Sequence, residues 1–135
     1  MSKKKDLNNN IEILIVEDSL TQIEQLRYFL EQHDYSVSTA SNGKEGLEVA
    51  KRHHPAIIIS DIVMPEMDGF ELCIEIRKIP ELRTLPIVVV STHVDGNYII
   101  KGLRTGADDY ISKPIEPDLV ERVIARITTT VIPPA

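Results

Sequence analysis

Five residues of this sequence have side chains that could act together on a phosphoryl group. In chain order they are Glu17, Asp18, Asp61, Ser91 and Lys113. Three carboxylates about 5 Å apart would repel one another by roughly 3 kcal/mol per pair at an effective dielectric constant near 20, so a cation is needed among them. Mg²⁺ is the first candidate because it takes oxygen ligands and often bridges to phosphate. With a hydroxyl and a lysine nearby, the set indicates phosphoryl transfer to a carboxylate.

The elements that must position these side chains are five short apolar runs. The runs cover residues 11–16, 35–40, 56–60, 86–91 and 109–112. They alternate with five longer segments of helical character, and this alternation is typical of βαβ units. It predicts an α/β fold built on a parallel sheet.

The composition of each run predicts its place in the sheet. The first, third and fourth runs are apolar at almost every position, as strands covered on both faces must be, whereas "YSVSTA" alternates and "DYIS" is short. With right-handed crossovers, the prediction is a doubly wound five-stranded parallel sheet of order 2-1-3-4-5 with five helices. Ligands of such folds bind outside the carboxyl ends of the strands, where the five side chains converge.

Capping patterns and prolines predict the helix ends. Ser19 with Gln22, and Asn42 with Glu45, read as capping boxes that open the first and second helices. The third helix is predicted over 70–78 and the fourth over 98–104, and the fifth begins with Pro117 in its first turn.

Length, charge and cysteine content limit the classes of protein. The chain has 135 residues, 15 of them basic and 21 acidic, for a net charge of -6. This balance argues against nucleic acid or an anionic membrane surface as the main partner, and no apolar run approaches the length of a membrane span. The single cysteine, Cys73, favours a reducing compartment, so we expect a cytoplasmic protein. Residues 1–10 are predicted to be a disordered arm, 11–128 one domain, and 129–135 a linker-like tail.

Four blocks of the sequence together resemble the receiver domain of two-component response regulators. They are "ILIVEDS" (13–19), "IIISDIVMPEMDGFEL" (57–72), "VVVST" (88–92) and "GADDYISKPI" (106–115). The resemblance covers about residues 11–127. It implies a phosphoacceptor signalling domain that takes a phosphoryl group from the phosphohistidine of a histidine kinase. Such a domain catalyses only its own aspartate phosphorylation and dephosphorylation.

The resemblance also assigns the residues that accept the phosphoryl group and hold the metal. Asp61 would be the phosphoacceptor. Mg²⁺ would be held by Glu17, Asp18, Asp61 and the backbone carbonyl of Val63. Because the apolar side chain of Val63 cannot orient an attacking water, we expect a comparatively long-lived phosphoaspartate.

Further residues correspond to the family's switch. Ser91 would move onto a phosphoryl oxygen, and Tyr110 would then turn inward. Lys113 would pair with the phosphoryl group, next to a Lys113–Pro114 peptide bond that is typically cis. His93 stands where the family often tunes the phosphoaspartate lifetime, although an exposed loop histidine is the simpler interpretation.

Partners follow from the same resemblance. We expect a sensor histidine kinase or phosphotransfer protein upstream, and downstream an output domain or effector protein that contacts the fourth helix, fifth strand and fifth helix. Phosphorylated copies could form a homodimer through that face. The alternative is a degenerate receiver that acts as a phosphorylation-independent docking module.

Two other classes fail on particular residues. A phosphohydrolase of the haloacid-dehalogenase type needs a second aspartate two residues after the nucleophile, and Val63 stands there. A nucleotide-binding domain needs a glycine-rich loop after the first strand, and residues 17–21 contain no glycine.

Overall fold

Five parallel strands form one sheet in the structure, a computed structural model that describes residues 11–92 and 96–131. The strands are β1 (Glu12–Val16), β2 (Ser36–Ala40), β3 (Ile57–Asp61), β4 (Ile87–Ser91) and β5 (Asp109–Ser112). Their order is β2-β1-β3-β4-β5, and every neighbouring pair is parallel. The predicted sheet and its strand order are confirmed.

Five α-helices connect and follow these strands. They are α1 (Leu20–Gln32), α2 (Gly43–His53), α3 (Gly69–Arg77), α4 (Gly96–Arg104) and α5 (Pro117–Val131), and a 3₁₀ turn, Pro80–Leu82, precedes β4. The doubly wound α/β fold with five helices is therefore confirmed. The structure begins α3 one residue and α4 two residues earlier than the sequence predicted.

The sheet separates two apolar layers, because successive side chains of a strand point to opposite faces. Ile13 and Ile15 of β1 pack with the apolar side chains of α1 and α5. Leu14 and Val16 pack on the other face, with those of α2 and α3. Four of the five residues of β3 and all five of β4 are buried, as expected for strands covered on both faces.

The helix caps differ from the predicted capping boxes in one half of each box. The side chains of Ser19 and Asn42 do accept from the backbone amides of Gln22 and Glu45, at 3.3 and 2.8 Å. However, the Gln22 side chain accepts a hydrogen bond from Lys113, and the Glu45 carboxylate accepts one from the Ser41 hydroxyl. The side chains of Gln22 and Glu45, which were expected to close the boxes, are thus bonded to other polar groups.

The complete capping box lies at the start of α3. Asp68 accepts from the amide of Glu71 at 2.8 Å, and the Glu71 side chain accepts from the amide of Asp68 at 3.1 Å. Its Asp-x-x-Glu pattern is visible in the sequence, but Asp68 was interpreted only as part of the loop.

The last helix continues into the predicted linker-like tail. Helix α5 reaches Val131, three residues into the segment 129–135 that the sequence predicts to be a linker-like tail. Residues 118–132 contain no glycine or proline that would end the helix. Within the helix, the Thr128 hydroxyl donates to the carbonyl of Ile124 at 2.7 Å. The arm 1–10 and residues 132–135 lie outside the described residues.

In the described ranges, none of the helices combines the length and apolar character needed to cross a membrane.

Candidate functional site

Three carboxylates meet at the carboxyl edge of the sheet, as the strand order predicts. Glu17 and Asp18 directly follow β1, and Asp61 is the last residue of the neighbouring strand β3. One carboxylate oxygen from each lies within 4.8 Å of the others. Glu17 is buried, the Asp61 side chain is 10% exposed, and Asp18 faces solvent.

The backbone around Asp61 is fixed from both sides. Asp61 is paired with Val90 of β4, and its own carboxylate accepts from the amide of Ile62 at 3.0 Å. The Gly69 amide donates to the carbonyl of Ile62 at 2.8 Å, which closes the loop between β3 and α3. A Cβ atom on Gly69 would lie 2.4 Å from the carbonyl oxygen of Asp61, so only glycine allows this approach.

Lys113 connects the end of β5 to these carboxylates. Its Nζ lies 2.9 Å from Glu17 Oε1 and 3.3 Å from Asp61 Oδ1, and it donates to Gln22 Oε1 at 2.6 Å. Its backbone amide donates to the carbonyl of Ser91 at 2.8 Å, and the Lys113–Pro114 peptide bond is cis. The lysine therefore lies over Asp61, where it can neutralise charge that is added there.

One ammonium group does not balance this set of carboxylates. Burial raises the pKa of Asp61, against the influence of Lys113 and the Ile62 amide, and Asp18 adds to the rise. Burial likewise raises the pKa of Glu17, against its hydrogen bonds from Lys113 and the Ser19 amide. Burial acts to lower the pKa of Lys113, but Glu17 and Asp61 together raise it. The site thus holds excess negative charge that is poorly solvated.

The donor set fits a hard divalent cation. All three side chains offer carboxylate oxygens, which Mg²⁺ prefers, and the exposure of Asp18 leaves a side open to water and to phosphate. A cation would favour the charged forms of Glu17 and Asp61, whose pKa values are raised first by burial and further by a neighbouring carboxylate.

Three of the remaining predicted residues lie in β4, in β5 and in the loop after β3. Ser91 is buried at the end of β4, next to β5. Tyr110 is half-buried in β5, packed against the layer that contains α3, and Gly102 of α4 is close to its ring. The Val63 side chain is 59% exposed in the loop after β3. His93 lies outside the described residues.

Two residues whose contacts sequence reasoning missed make long-range side-chain hydrogen bonds around these elements. Gln22 contacts Lys113, and its pattern with Ser19 had suggested only a helix cap. Arg77 at the end of α3 donates to the carbonyls of Arg83, Leu85 and Gly106 and to the carboxylate of Asp108. No local pattern predicts this second set, because its acceptors lie up to 31 positions away.

Comparison with known proteins identifies the family of this chain. The family model for the response regulator receiver domain matches residues 13–125. The chain belongs to this family. Its sheet order is that of the receiver-domain fold, and its acidic cluster is of the kind at which receiver domains bind Mg²⁺.

Relatives of this receiver domain occur alone and within larger proteins. Protein PilH of Pseudomonas aeruginosa is 35% identical over 112 residues, with 83% of this chain and 93% of PilH covered. Histidine kinase P4 of Formosa agariphila is 43% identical over 105 residues, with 76% of this chain but only 7% of that protein covered. The receiver domain of a signal transduction histidine kinase from Syntrophus aciditrophicus superposes with a TM-score of 0.84 at 38% identity, covering 92% of this chain and 94% of that one.

Proposed function

We propose that this receiver domain takes a phosphoryl group onto Asp61 from the phosphohistidine of a histidine kinase or phosphotransfer protein. The observation that carries the proposal is the placement of Lys113 3.3 Å from a carboxylate at the rigid end of β3. A carboxylate is a competent nucleophile for phosphoryl transfer when nearby positive charge neutralises the transferred oxygens. The chain would catalyse only its own phosphorylation and dephosphorylation.

The proposed metal ligands are Glu17, Asp18, Asp61 and the backbone carbonyl of Val63, and the proposed ion is Mg²⁺. When bound, the ion would supply charge stabilisation for the transferred group. The residues of the chain have separate roles: Asp61 accepts the group, Lys113 neutralises one of its oxygens, and the Ser91 hydroxyl bonds another.

The proposed response lies on the face formed by α4, β5 and α5. Movement of Ser91 towards the phosphoryl group would leave room for Tyr110 to turn inward beside α4. Ile99, Ile100 and Leu103 of α4 are exposed apolar side chains that an output domain, an effector or a second copy would contact. We place this exchange of signals in the cytoplasm, where histidine kinases present their phosphohistidine.

The test is the gain of one phosphoryl group in intact-mass spectrometry. We expect the wild-type protein to gain this mass with acetyl phosphate and Mg²⁺, and to gain much less after chelation. Asp61→Asn should abolish the gain, whereas Asp118→Asn on exposed α5 should retain it.

A degenerate receiver that only docks on partners is the second candidate. It predicts no phosphoryl gain in any of these samples despite folded protein and measurable Mg²⁺ binding. The complete set of Asp61, Lys113 and the acidic pair favours the phosphoacceptor.

A further inference from the structure

The hydrogen bond made by the Gln22 side chain is not explained by the helix that carries it. In the first turn of α1 its side chain was expected to bond back to the backbone of Ser19 and complete a cap. Its Oε1 instead accepts from Lys113 Nζ at 2.6 Å, across 91 positions of sequence. When a side chain departs from the hydrogen bond that its helix position favours, and the helix gains nothing in stability, the residue is expected to serve a functional site.

The three acceptors of Lys113 differ in what else they can bind. Glu17 and Asp61 lie within the carboxylate cluster, so Lys113 shares both with any divalent cation that binds there. Gln22 is outside that cluster and carries no charge, and its amide oxygen is a far weaker attraction for the cation. It is therefore the acceptor that stays available to the lysine when the carboxylates turn towards a metal.

We propose that Gln22 is a positioning residue that holds the Lys113 ammonium group over Asp61 while the acidic residues are engaged by a divalent cation. This inference rests on the proposed function, since Lys113 is the group that would meet the transferred phosphoryl oxygens. Without Gln22 the long side chain of Lys113 would lose its remaining fixed partner and would sample rotamers directed into solvent.

Three variants separate this role from a general effect on α1. Gln22→Met keeps the length and helix propensity of the side chain and removes the acceptor. Gln22→Glu keeps an oxygen at the same place. Gln25→Met makes the same change at another exposed position of the same helix, beside the groove that Lys113 and Pro114 also line. Because Gln22 and Gln25 are both exposed, we expect all three variants to fold, and a thermal melt checks this.

The first measurement is the rate at which an amine-acetylating reagent labels Lys113, read by peptide mass spectrometry and normalised to Lys101. With saturating Mg²⁺ we expect labelling of Lys113 to be at least about fivefold faster in Gln22→Met than in wild type, Gln22→Glu or Gln25→Met. Without Mg²⁺ the difference should be small, because Glu17 and Asp61 still hold the lysine.

The second measurement is the rate of Asp61 phosphorylation by acetyl phosphate, together with the Mg²⁺ affinity from calorimetry. We expect Gln22→Met to slow phosphorylation about three- to tenfold with unchanged Mg²⁺ affinity. Unchanged labelling of Lys113 in Gln22→Met would overturn the proposal, and so would a loss of Mg²⁺ affinity that accounts for the slower rate. If the wild type accepts no phosphoryl group, the proposed function fails, while the labelling still decides the role of Gln22.

Discussion

Asp61 lies in surroundings that disfavour its charge. Its pKa is raised by burial first and by Asp18 among other groups, so the folded protein binds this proton more tightly than the unfolded chain. Stability from this group is therefore lost as pH rises through the window between the unfolded value near 3.8 and the raised folded value. A residue that weakens the fold at neutral pH is typical of a functional position.

Asp61→Asn should therefore stabilise the metal-free protein at pH 7, by on the order of 1 kcal/mol, because it removes a buried charge near two other carboxylates. Urea unfolding in chelator at pH 7 and at lower pH measures this. The gain should shrink as pH falls, because protonation removes the same charge from the wild type. Asp118→Asn controls for net charge. A destabilised Asp61→Asn at pH 7 would show that Lys113 outweighs burial.

The side chain at position 63 should set how long the phosphoryl group remains. Val63 is 59% exposed in the loop that follows Asp61. An amide side chain at this position could orient a water molecule, whereas the apolar side chain of valine cannot. We expect Val63→Asn to speed loss of the phosphoryl group about tenfold, the equivalent of about 1.4 kcal/mol in barrier height. Intact mass followed over time after donor removal measures the loss, with Val63→Ala as the apolar control. Equal decay in Val63→Asn and wild type would contradict the idea.

At the scale of elements, the start of α2 holds the loop between β3 and α3. The Gly43 amide donates to the carbonyl of Met67 at 3.1 Å, and a Cβ atom on Gly43 would lie 2.4 Å from that oxygen. Asp68 and Glu71 fix the other side of the loop through the α3 capping box. The loop that contains Val63, whose backbone carbonyl is a proposed metal ligand, thus takes its shape from two helix N-termini.

Gly43→Ala should push this loop away from the site and weaken Mg²⁺ binding, by about tenfold. The matched control is Gly46→Ala, where a Cβ atom would meet the side chain of Val16 at 2.9 Å in the core. Calorimetric titration with Mg²⁺ should find lower affinity in the first variant, and lower stability with unchanged affinity in the second. Equal Mg²⁺ affinities in both variants and wild type would remove Gly43 from the site.

How much of the fold and the site the sequence could predict depends on how far apart in sequence the interacting residues lie. Strand order followed from local composition, because fully apolar runs must be central, and parallel strands in this order place Glu17, Asp61 and Lys113 at the same edge of the sheet. The partner of Gln22 and the acceptors of Arg77 could not be predicted, because they depend on side-chain directions and several of them lie 29 or more positions away in sequence. The extension of α5 to Val131 was not predicted, although residues 129–131 contain no glycine or proline that would end the helix.

At the scale of the whole molecule, the carboxylate cluster links metal binding to folding. An ion that binds only the folded protein stabilises it by about 2.7 kcal/mol at a concentration 100 times its dissociation constant. Mg²⁺ should therefore raise the unfolding midpoint of the wild type, and should raise that of Asp61→Asn much less. Thermal melts over a Mg²⁺ titration measure both, and NaCl of matched ionic strength is the control. Equal shifts in the two proteins would mean that the cation binds elsewhere.

Among partly exposed residues, Arg77 should be the one whose substitution lowers the free energy of unfolding most. Its Nε and two terminal nitrogens donate to three carbonyls and the carboxylate of Asp108, which also accepts from the amide of Ile87. Arg77→Lys cannot reproduce this fork, and we expect it to lower the free energy of unfolding by about 2–4 kcal/mol. Urea unfolding measures this, with Arg104→Lys on exposed α4 as the control. A change below about 0.5 kcal/mol would contradict the expectation.

The position of Arg77 has a consequence for amide hydrogen exchange. Its acceptors Leu85 and Asp108 precede β4 and β5, so the amino ends of these strands are held together, whereas Ser91 and Lys113, which we propose contact the phosphoryl group, lie at their carboxyl ends. The amide hydrogens of Ile87 and Asp108 should exchange only in molecules that unfold completely, and that of Lys113 through smaller, local openings. Substitutions near Asp61 would then change the proposed rate of phosphorylation and lifetime of the phosphoaspartate during evolution without weakening the end of the sheet that Arg77 holds together.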